Sequence, residues 1–498
     1  MNRTTLSLIA AATALAAVTG FAAATTPGGA DGTTAKAAAR LPVERSSLLC
    51  PAPSQSDLAE TAYTSYTPAS QEKAESAGKA ELVPAETGAG DTDGAKGKAK
   101  KPKAVLTPKE PGKPVKGSAS GGDAPAAIGT ADGALAPGWT VQQTTTVDAG
   151  SGRGLSGVNC SAPDTDFYFP GASTAKERSD YIHLTNPDDE AAVVDVQMYG
   201  PDGAIKSDVG EGIQIGPHAS VPVLLSTLTD KPYTNLTLHV TARSGRVAAA
   251  VSAADDKLGG DWLPAAADPA ASLVLPGIPK DATNVRLVAF APGQDDADLK
   301  VQLATSSGKI APAGHDTLHV KSGMTSSVDL GDVTRGDPGS LVLTPTDGAV
   351  PVVAALRVTR GKGADQETAF IPATRDIGAR ATVADNRAKG STLALTAPGA
   401  GGKVKVTASA GTEGGTAATK EYTVKGGTTL SVPAPVPDGL KGSYALTVER
   451  VSGGKVYGSR MLEEKQDGVP AFTIQTLPDD RGTVSVPEAD EDLTVLQK

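Results

Sequence analysis

The sequence predicts an all-β protein of tandem antiparallel immunoglobulin-like β-sandwich modules, as three internal repeats behind a signal or anchor segment and a disordered linker. The 498-residue chain contains 57 glycines and 36 prolines but only 3% aromatic residues. Such a composition favours short strands joined by turns, around aliphatic cores. Val196, Val301 and Val406 recur at equal intervals of 105 residues, each in a strand that follows a proline-containing loop. This regular interval indicates three copies of one module.

Apolar and polar residues alternate within the repeated strands. Ala192, Val194 and Val196 are separated by residues of the opposite face, a pattern typical of a strand with one buried and one solvated side. Seven or eight such strands in about 100 residues are characteristic of an immunoglobulin-like sandwich. A closed arrangement in which the three units share one core is the alternative.

The predicted boundaries follow from changes in composition and from the repeat. The segments are a signal peptide or N-terminal anchor at 1–24, an N-terminal strand tied to the first module at 41–53, a low-complexity linker at 55–137, and sandwich modules at 138–265, 266–361 and 362–498, the last with an acidic tail. Strands at 167–170, 273–276 and 370–372 are predicted to open the three modules.

The N-terminal segment has the features of an export signal. Arg3 precedes an Ala-rich apolar run at 6–18, and Ala22 and Ala24 form an A-x-A cleavage pattern. Residues 4–24 are also long enough to span a membrane as an uncleaved anchor. Cleavage is favoured because alanine contributes little hydrophobicity. Both interpretations place the remaining chain outside the cytoplasm.

The chain has two cysteines, Cys50 and Cys160. In an oxidising compartment a disulfide between them is the expected state, and two free thiols are the alternative. The bond would hold the N-terminal strand against the start of the first module.

The stretch between the cysteines is rich in Ala, Gly, Lys, Pro, Glu and Ser and has no sustained period. We expect it to be disordered, since it offers little apolar area for burial. Eight lysines lie between 96 and 116, which suits either a solvated linker or attachment to anionic polymers.

Two catalytic-looking motifs lack their required context. Residues 173–176 match S-x-x-K, but the partner motifs of penicillin-binding enzymes are missing. Residues 152–157 match G-x-G-x-x-G without the strand and helix that a dinucleotide site needs. His315 and His319 flank a predicted strand, too far apart for one zinc ion. We predict no enzyme activity, no cofactor and no metal.

Candidate interaction residues lie where the repeats differ. Two acidic loops occupy the same place in the first and second modules, and their residues are Asp188, Asp189, Glu190, Asp295, Asp296 and Asp298. Oxygen-rich loops of this kind can bind calcium, but calcium binding is disfavoured here because the third module has no acids at this place. Asp261 and Trp262 form a cluster of rarer residues between modules one and two, where Trp262 is predicted to fill the seam.

Composition also limits the function. A net charge of −10 argues against nucleic-acid binding, and the shortage of aromatic residues argues against carbohydrate enzymes. The favoured function is a non-catalytic extracytoplasmic cell-envelope scaffold or protein-binding protein. The alternative is a cell-wall polysaccharide-binding protein or an accessory factor of envelope glycan assembly. The expected partner is an envelope protein or a cell-wall polymer, met in a secreted form or on the outer face of the cytoplasmic membrane.

Several short segments resemble those of a known group of proteins. They are Cys50 ahead of a linker, Cys160, and the stretches 167–174, 181–200 and 260–264. In these segments the chain is similar to actinobacterial secreted or membrane-anchored proteins catalogued only as a domain of unknown function. The resemblance implies a β-rich protein of a Gram-positive envelope, in a setting beside envelope glycan assembly, and it supplies no catalytic residues.

Overall fold

Strands make up almost all regular secondary structure in the computed structural model, which describes residues 39–69, 77–87, 103–150, 152–466 and 469–486. The predicted all-β fold is therefore confirmed. Within the described residues there are only three 3-10 turns, at Gly133–Leu135, Leu225–Thr227 and Gly363–Asp365. No helix in this part of the chain has the length and apolar character to cross a lipid bilayer. The predicted signal or anchor at 1–24 lies outside the described residues.

Thirty-eight strands are described, and their bounds are as follows. The first nine are β1 (Ala39–Pro42), β2 (Arg45–Cys50), β3 (Ala59–Tyr66), β4 (Ala80–Pro84), β5 (Glu86–Thr87), β6 (Val115–Ser120), β7 (Ala127–Asp132), β8 (Thr140–Val147) and β9 (Gly154–Asn159). The next nine are β10 (Asp166–Ala172), β11 (Arg178–Thr185), β12 (Ala192–Gly200), β13 (Gly203–Ile205), β14 (Ile213–Ile215), β15 (Ala219–Leu224), β16 (Leu236–Ser244), β17 (Ala248–Asp255) and β18 (Gly259–Leu263).

The second half of the chain continues the series. It contains β19 (Leu273–Ile278), β20 (Ala282–Phe290), β21 (Ala297–Ala304), β22 (Lys309–Ile310), β23 (Thr317–Val320), β24 (Thr325–Asp329), β25 (Gly339–Asp347), β26 (Val353–Arg360) and β27 (Glu367–Pro372). The last strands are β28 (Arg380–Asn386), β29 (Ser391–Ala397), β30 (Gly402–Ala408), β31 (Gly414–Thr416), β32 (Ala418–Val424), β33 (Thr428–Pro433), β34 (Asp438–Lys441), β35 (Tyr444–Gly453), β36 (Tyr457–Gln466), β37 (Val469–Thr476) and β38 (Thr483–Val486).

The described residues between 42 and 482 form one compact unit. The described terminal residues, 39–41 and 483–486, belong to a second unit, in which β1 pairs with β38 as a two-stranded sheet.

The larger unit contains four pairs of facing sheets, which we call the N-terminal, first, second and third sandwiches. The N-terminal sandwich has the sheets β2-β7-β4 and β6-β3-β8-β9, and the first has β10-β16-β12-β13, with β14 on β12, and β18-β17-β11-β15-β5. The second has β19-β25-β21-β22, with β23 on β21, and β24-β20-β26-β27, and the third has β28-β35-β30-β32 and β33-β29-β36-β37. Pairing is antiparallel except between β5 and β15.

The periodic valines occupy corresponding places in three sheets. Val196 pairs with Val240, Val301 with Leu343, and Val406 with Val448, each on the central strand pair of its sheet. All three valines are buried. The equal spacing in the sequence therefore reports equivalent core positions.

The predicted linker is wrong for its described residues. Within 55–137, strands β3, β4, β6 and β7 form most of the N-terminal sandwich. Its core contains Tyr63, Leu82, Leu106 and Trp139, together with both cysteines. Small residues conceal these strands in the sequence, since β7 reads AIGTAD, yet its alternate residues are buried between partner strands.

Two predicted boundaries also differ from the sheets. The strand predicted at 41–53 contributes β2 to the N-terminal sandwich, where it pairs with β7, so it is not tied to the first module. Strands β8 and β9, assigned by sequence to the first module, pair in the same N-terminal sandwich.

The predicted opening of the third module is misplaced as well. The stretch 370–372 lies in β27, which pairs with β26 and closes a sheet of the second sandwich. The strand that corresponds to β10 and β19 is β28, since it pairs with β35 as they pair with β16 and β25. Short apolar strands look alike in sequence, so sequence patterning confuses the last strand of the second sandwich with the first strand of the third module.

The predicted disulfide is confirmed. Cys50 and Cys160 are bonded across 110 residues, with their Cα atoms 4.4 Å apart. The bond joins the end of β2 to the residue that follows β9, so both of its ends belong to the N-terminal sandwich.

Four edge strands, one from each sandwich, meet at the centre of the unit. Strand β9 packs against β18, β18 against β27, β27 against β37, and β37 against β9. The four sandwiches therefore close into a ring, and we call the meeting place of these strands the ring centre. The alternative of a single shared core is not observed, because each sandwich has its own core cluster.

Candidate functional site: a groove between two sandwiches

A groove of about 660 Å³ lies between the N-terminal and first sandwiches. Its floor is the outward face of β11, β15, β17 and β18. Residues 52–56 and 122–126 of the N-terminal sandwich form the opposite wall, and Ser156 and Gly152 line the end nearest the ring centre.

Strand alternation explains which side chains reach the floor. Ile182 and Leu184 are buried in the core of the first sandwich, so Tyr181 and His183, which alternate with them along β11, face the groove. Ser252, on β17, lies beside Tyr181. On the other side of β17, Trp262 in β18 is the register partner of Ser252.

His183 is the central polar group of the floor. Its Nε2 lies 3.1 Å from Oγ of Ser252, and its ring centre lies 5.2 Å from that of Trp262 in an edge-to-face arrangement. Burial lowers the pKa of His183 to about 4, so the imidazole is neutral at physiological pH. Its Nδ1 is buried, with no hydrogen-bond partner among the described residues.

The Ser252–His183 pair does not form a catalytic relay. A relay requires a carboxylate on Nδ1 to orient the imidazole and stabilise its charged form. The nearby carboxyl of Asp261 is engaged elsewhere, and burial has made His183 a weak base. The arrangement suits a neutral hydrogen-bonding site better than proton transfer.

Asp261 links the groove to the ring centre. Its Oδ1 accepts hydrogen bonds of 3.0 Å from the backbone N–H of Gly157 and from Oγ1 of Thr473. Gln475 donates to the carbonyl of Gly157 and to Oγ1 of Thr473. Burial raises the pKa of Asp261 well above its ordinary value, against the opposing effect of the hydrogen bonds from Gly157 and Thr473.

Glu367 is the second buried carboxyl of this region. It lies on β27, 3% exposed, with its Oε1 3.8 Å from Nε of Arg153. Burial raises the pKa of Glu367 to about 7, against the opposing effect of Arg153. Arg153 also donates to the carbonyls of Lys257, Ala364 and Gln366, and so connects three sandwiches.

The G-x-G-x-x-G pattern at 152–157 has a structural role here. A Cβ on Gly154 would lie 2.3 Å from Oε2 of Glu367, and one on Gly157 would lie 2.7 Å from Nε2 of Gln475. Glycine is required because neighbouring edge strands approach β9 closely. The rejection of a dinucleotide site agrees with this placement.

The S-x-x-K stretch is a turn. The hydroxyl of Ser173 donates to the carbonyl of Tyr233 and accepts from the backbone N–H of Ala175. The backbone N–H of Ser173 donates to the carboxylate of Asp180. The hydroxyl is committed to the backbone.

The acidic loops pair with basic side chains and do not line the groove. Asp188 pairs with Arg246 at 2.9 Å and Asp189 with His218 at 2.7 Å. In the second sandwich, His319 lies 2.8 Å from Asp298 and 3.5 Å from Asp296. Glu190 contributes its backbone carbonyl to Asn186, and Asp295 is exposed. In the described ranges, no three His, Cys, Asp or Glu side chains are grouped so as to hold a metal ion.

Of the predicted interaction residues, only Asp261 and Trp262 lie at the groove. Trp262 packs with Val158 and Ala250 across the boundary of the N-terminal and first sandwiches. The seam that it fills thus lies between the N-terminal and first sandwiches, and not between modules one and two as predicted. Sequence reasoning missed Tyr181, His183 and Ser252, because they alternate with apolar residues like any solvated strand face.

A model of a family of unknown function matches residues 115–435, well over half of the chain. The chain belongs to this family, DUF5719. The predicted resemblance to a family of unknown function is therefore confirmed. The matched part of this DUF5719 protein begins at β6 and ends after β33, and it includes the whole groove floor and the loop 122–126. None of the curated proteins compared with the chain matches it.

Proposed function

We propose that this DUF5719 protein is a non-catalytic extracytoplasmic cell-envelope scaffold that binds a protein partner in the groove. The observation that carries the proposal is the groove itself, built across two sandwiches that the ring holds in fixed positions. A pre-formed cleft between rigid elements lowers the entropic cost of binding.

The disulfide supports the extracytoplasmic location. A bond between Cys50 and Cys160 persists in oxidising compartments and is rare in the cytosol. Together with the export segment predicted at 1–24, it favours a protein that is secreted or held on the outer face of the cytoplasmic membrane through residues 4–24.

Charge supports a protein partner over a nucleic acid. The chain carries a net charge of −10, and the groove lining contains Asp123 and Asp261 but no lysine or arginine. Phosphate groups would find no counter-charge there.

A cell-wall polysaccharide is the second candidate ligand, bound alone or as part of an accessory role in envelope glycan assembly. The observation that favours it is the number of hydroxyl groups in the lining, from Tyr181 and six serines. Hydroxyls can exchange hydrogen bonds with a neutral sugar.

Photo-crosslinking in cells tests the proposal. A photoreactive residue replaces Pro222, which is exposed in the groove, and in a control it replaces Val436, which is exposed on the third sandwich. We expect one protein to be captured from position 222 and not from position 436. Equal capture at both positions, or saturable pull-down of one wall glycan with no protein captured, would overturn the protein-binding proposal.

A further inference from the structure

The seam between the N-terminal and third sandwiches encloses a row of polar side chains. Strands β3 and β8 pack against β28 across this seam, and β9 packs against β37. Thr64, Gln142 and Asn159 are register partners across β3, β8 and β9, and Thr64 and Gln142 are fully buried. Gly157, two residues before Asn159 and on the same face, lies against Gln475 of the third sandwich. The polar row is therefore covered by the third sandwich.

The protein supplies too few hydrogen bonds for the side chains in this seam. The atoms without a partner among the described residues include Oγ1 of Thr64, Oε1 of Gln142, Oγ1 of Thr144, Oδ1 of Asn159, and Nε and Nη1 of Arg460. Arg460, the register partner of Gln475, is fully buried, and its Nη2 donates to the carbonyl of Ala384 at 3.3 Å. A buried polar atom without a partner costs free energy that hydration returns. Closure of the seam is therefore costly.

Only small contacts oppose opening of this seam. In the described chain, hydrogen bonds cross it from Val43 to Gly482, from Arg380 to Pro137, and from Thr473 and Gln475 to Gly157. Two small apolar clusters also cross it, one of Tyr66, Ala384 and Ala445 and the other of Leu155, Leu462 and Ala471.

The other three seams of the ring have larger apolar contacts. Phe370 of the second sandwich packs in the core of the first, and Phe472 of the third packs in the core of the second. Trp262 of the first sandwich packs on Val158 of the N-terminal one. Opening any of these seams would expose large apolar side chains to water, which the polar seam does not require.

We infer that the ring opens reversibly at the seam between the N-terminal and third sandwiches while the other three seams stay closed. Opening lets water reach the row of Thr64, Gln142 and Asn159. The N-terminal sandwich carries one wall of the groove, so the closed ring holds the groove at one width and opening releases that wall. The inference goes beyond the proposed function, since opening does not depend on what the groove binds.

The test is alkylation of single buried cysteines by iodoacetamide in the full chain, whose two native cysteines are bonded to each other. Thr144→Cys places a thiol on the seam face of β8, and Thr145→Cys places one on the opposite face, in the N-terminal sandwich. Ala355→Cys places one in the seam between the first and second sandwiches. We expect alkylation at 144 to be at least roughly tenfold faster than at 145 or 355, because local opening requires less free energy than unfolding. Melting temperatures establish that each variant is folded.

Urea separates opening of the seam from unfolding of a sandwich. The rate at 144 should rise little with urea, whereas the rate at 145 should rise steeply, because unfolding exposes far more surface. A steep rise at 144 would show that the thiol is reached through unfolding, and would contradict the inference.

Gln142→Met links the opening to the unpaired groups. It removes an amide whose oxygen has no partner, and in the Thr144→Cys background it should slow alkylation several-fold. Gln214→Met, at an exposed position of β14, is the control and should leave the rate unchanged. Equal slowing by both substitutions would show that the unpaired amide does not promote opening.

Two further results would overturn the inference. Equal alkylation at 144 and 145 would show that the seam stays closed until the N-terminal sandwich unfolds. Equal alkylation at 144 and 355 would show that the ring does not open at one particular seam. Either result leaves the proposed function standing, since capture from position 222 is measured separately.

Discussion

Single glycines determine how closely the strands meet at the ring centre. Gly157 of β9 faces Thr473 and Gln475 of β37, and Gly154 and Gly259 both face Glu367 of β27. With any larger residue, backbone and side chains would have to separate, and the hydrogen bonds of Asp261 would lengthen. These positions carry more structural constraint than the spacing of glycines in the sequence suggests.

Replacement of Gly157 by alanine should destabilise the protein by about 1–3 kcal/mol. The new Cβ would lie 2.7 Å from Nε2 of Gln475 and 2.8 Å from Cγ2 of Thr473, both of them buried. Chemical denaturation measures the change. Gly399→Ala is the matched control, because its Cβ would meet nothing within 4 Å, and it should leave stability almost unchanged. Equal effects of the two variants would contradict a crowded centre.

Glu367 should make the protein less stable as the pH rises. Burial raises its pKa to about 7 in the folded state, whereas an unfolded glutamate titrates near 4.3. The folded state therefore holds the proton more tightly. The free energy of unfolding should fall between about pH 4.3 and 7, and remain low above that range. The nearby Asp261, with its raised pKa, adds to the same trend, and Arg153 opposes it.

Glu367→Gln tests this pH dependence. Glutamine imitates the protonated carboxyl. The free energy of unfolding of the variant should therefore fall less between about pH 4.3 and 7, and the variant should be more stable than the native protein above pH 7. Unfolding in urea at a series of pH values measures it. Exposed Asp295→Asn is the control and should keep the native profile. If the free energy of unfolding of the Gln variant fell with pH as steeply as that of the native protein, Glu367 would not be the source of the pH dependence.

At the scale of elements, strands with few apolar residues are stabilised by hydrogen bonding to the strands beside them in the sheet. Strand β6 (Val115–Ser120) reads VKGSAS, and only alternate side chains turn inward. It is held along β3, and β3 is held along β8. The N-terminal sandwich thus depends on pairing more than on the hydrophobicity of its own strands.

Loss of the disulfide should weaken this sandwich in particular. Cys50→Ala with Cys160→Ala should cost about 2–5 kcal/mol, since the bond restrains 110 residues of unfolded chain and lies in the sandwich core. Hydrogen exchange should rise first in β2, β4 and β7. Reduction of the native protein should give the same pattern, and unchanged exchange in these strands would contradict it.

At the scale of the whole 42–482 unit, neighbouring sandwiches complete each other's cores. Phe472 and Ile474 lie on β37 of the third sandwich but pack in the core of the second. Likewise, Ala355 and Phe370 lie on β26 and β27 of the second sandwich but pack in the core of the first. The guanidinium of Arg360 in the second sandwich lies 4.8 Å from the ring of Phe472 in the third. It pairs with Asp281 of its own sandwich and with Glu463 across the same boundary. The sandwiches should therefore unfold together.

Phe472→Ala tests this coupling. The substitution should cost about 3–5 kcal/mol, because it leaves a cavity in a buried site. We expect one calorimetric transition shifted to lower temperature, with faster hydrogen exchange in β20 and β26 of the second sandwich. Leu395→Ala, in the third sandwich's own core, is the comparison. Separate transitions for the second and third sandwiches would disprove the coupling.

Local pattern was sufficient for the strand content and for the equivalence of Val196, Val301 and Val406, and the presence of two cysteines in a chain expected to be exported was sufficient for the disulfide. Alternation and a fixed interval report which residues turn inward, whatever the neighbouring strands are. The same pattern did not predict the strands within 55–137, where small residues gave no periodic signal. It also assigned β27 to the third module, although β27 pairs with β26 in a sheet of the second sandwich.

Tertiary structure alone decided the ring and the groove. The contact of Gly157 with Gln475 joins residues more than 300 positions apart, and no local spacing encodes such a distance. His183 and Ser252 look like an ordinary solvated strand face until the N-terminal sandwich covers part of it. The sequence by itself determined which residues the repeated strands of the three predicted modules bury, because alternation is a local property. The assembly determined which faces meet, because that depends on long-range packing of edge strands.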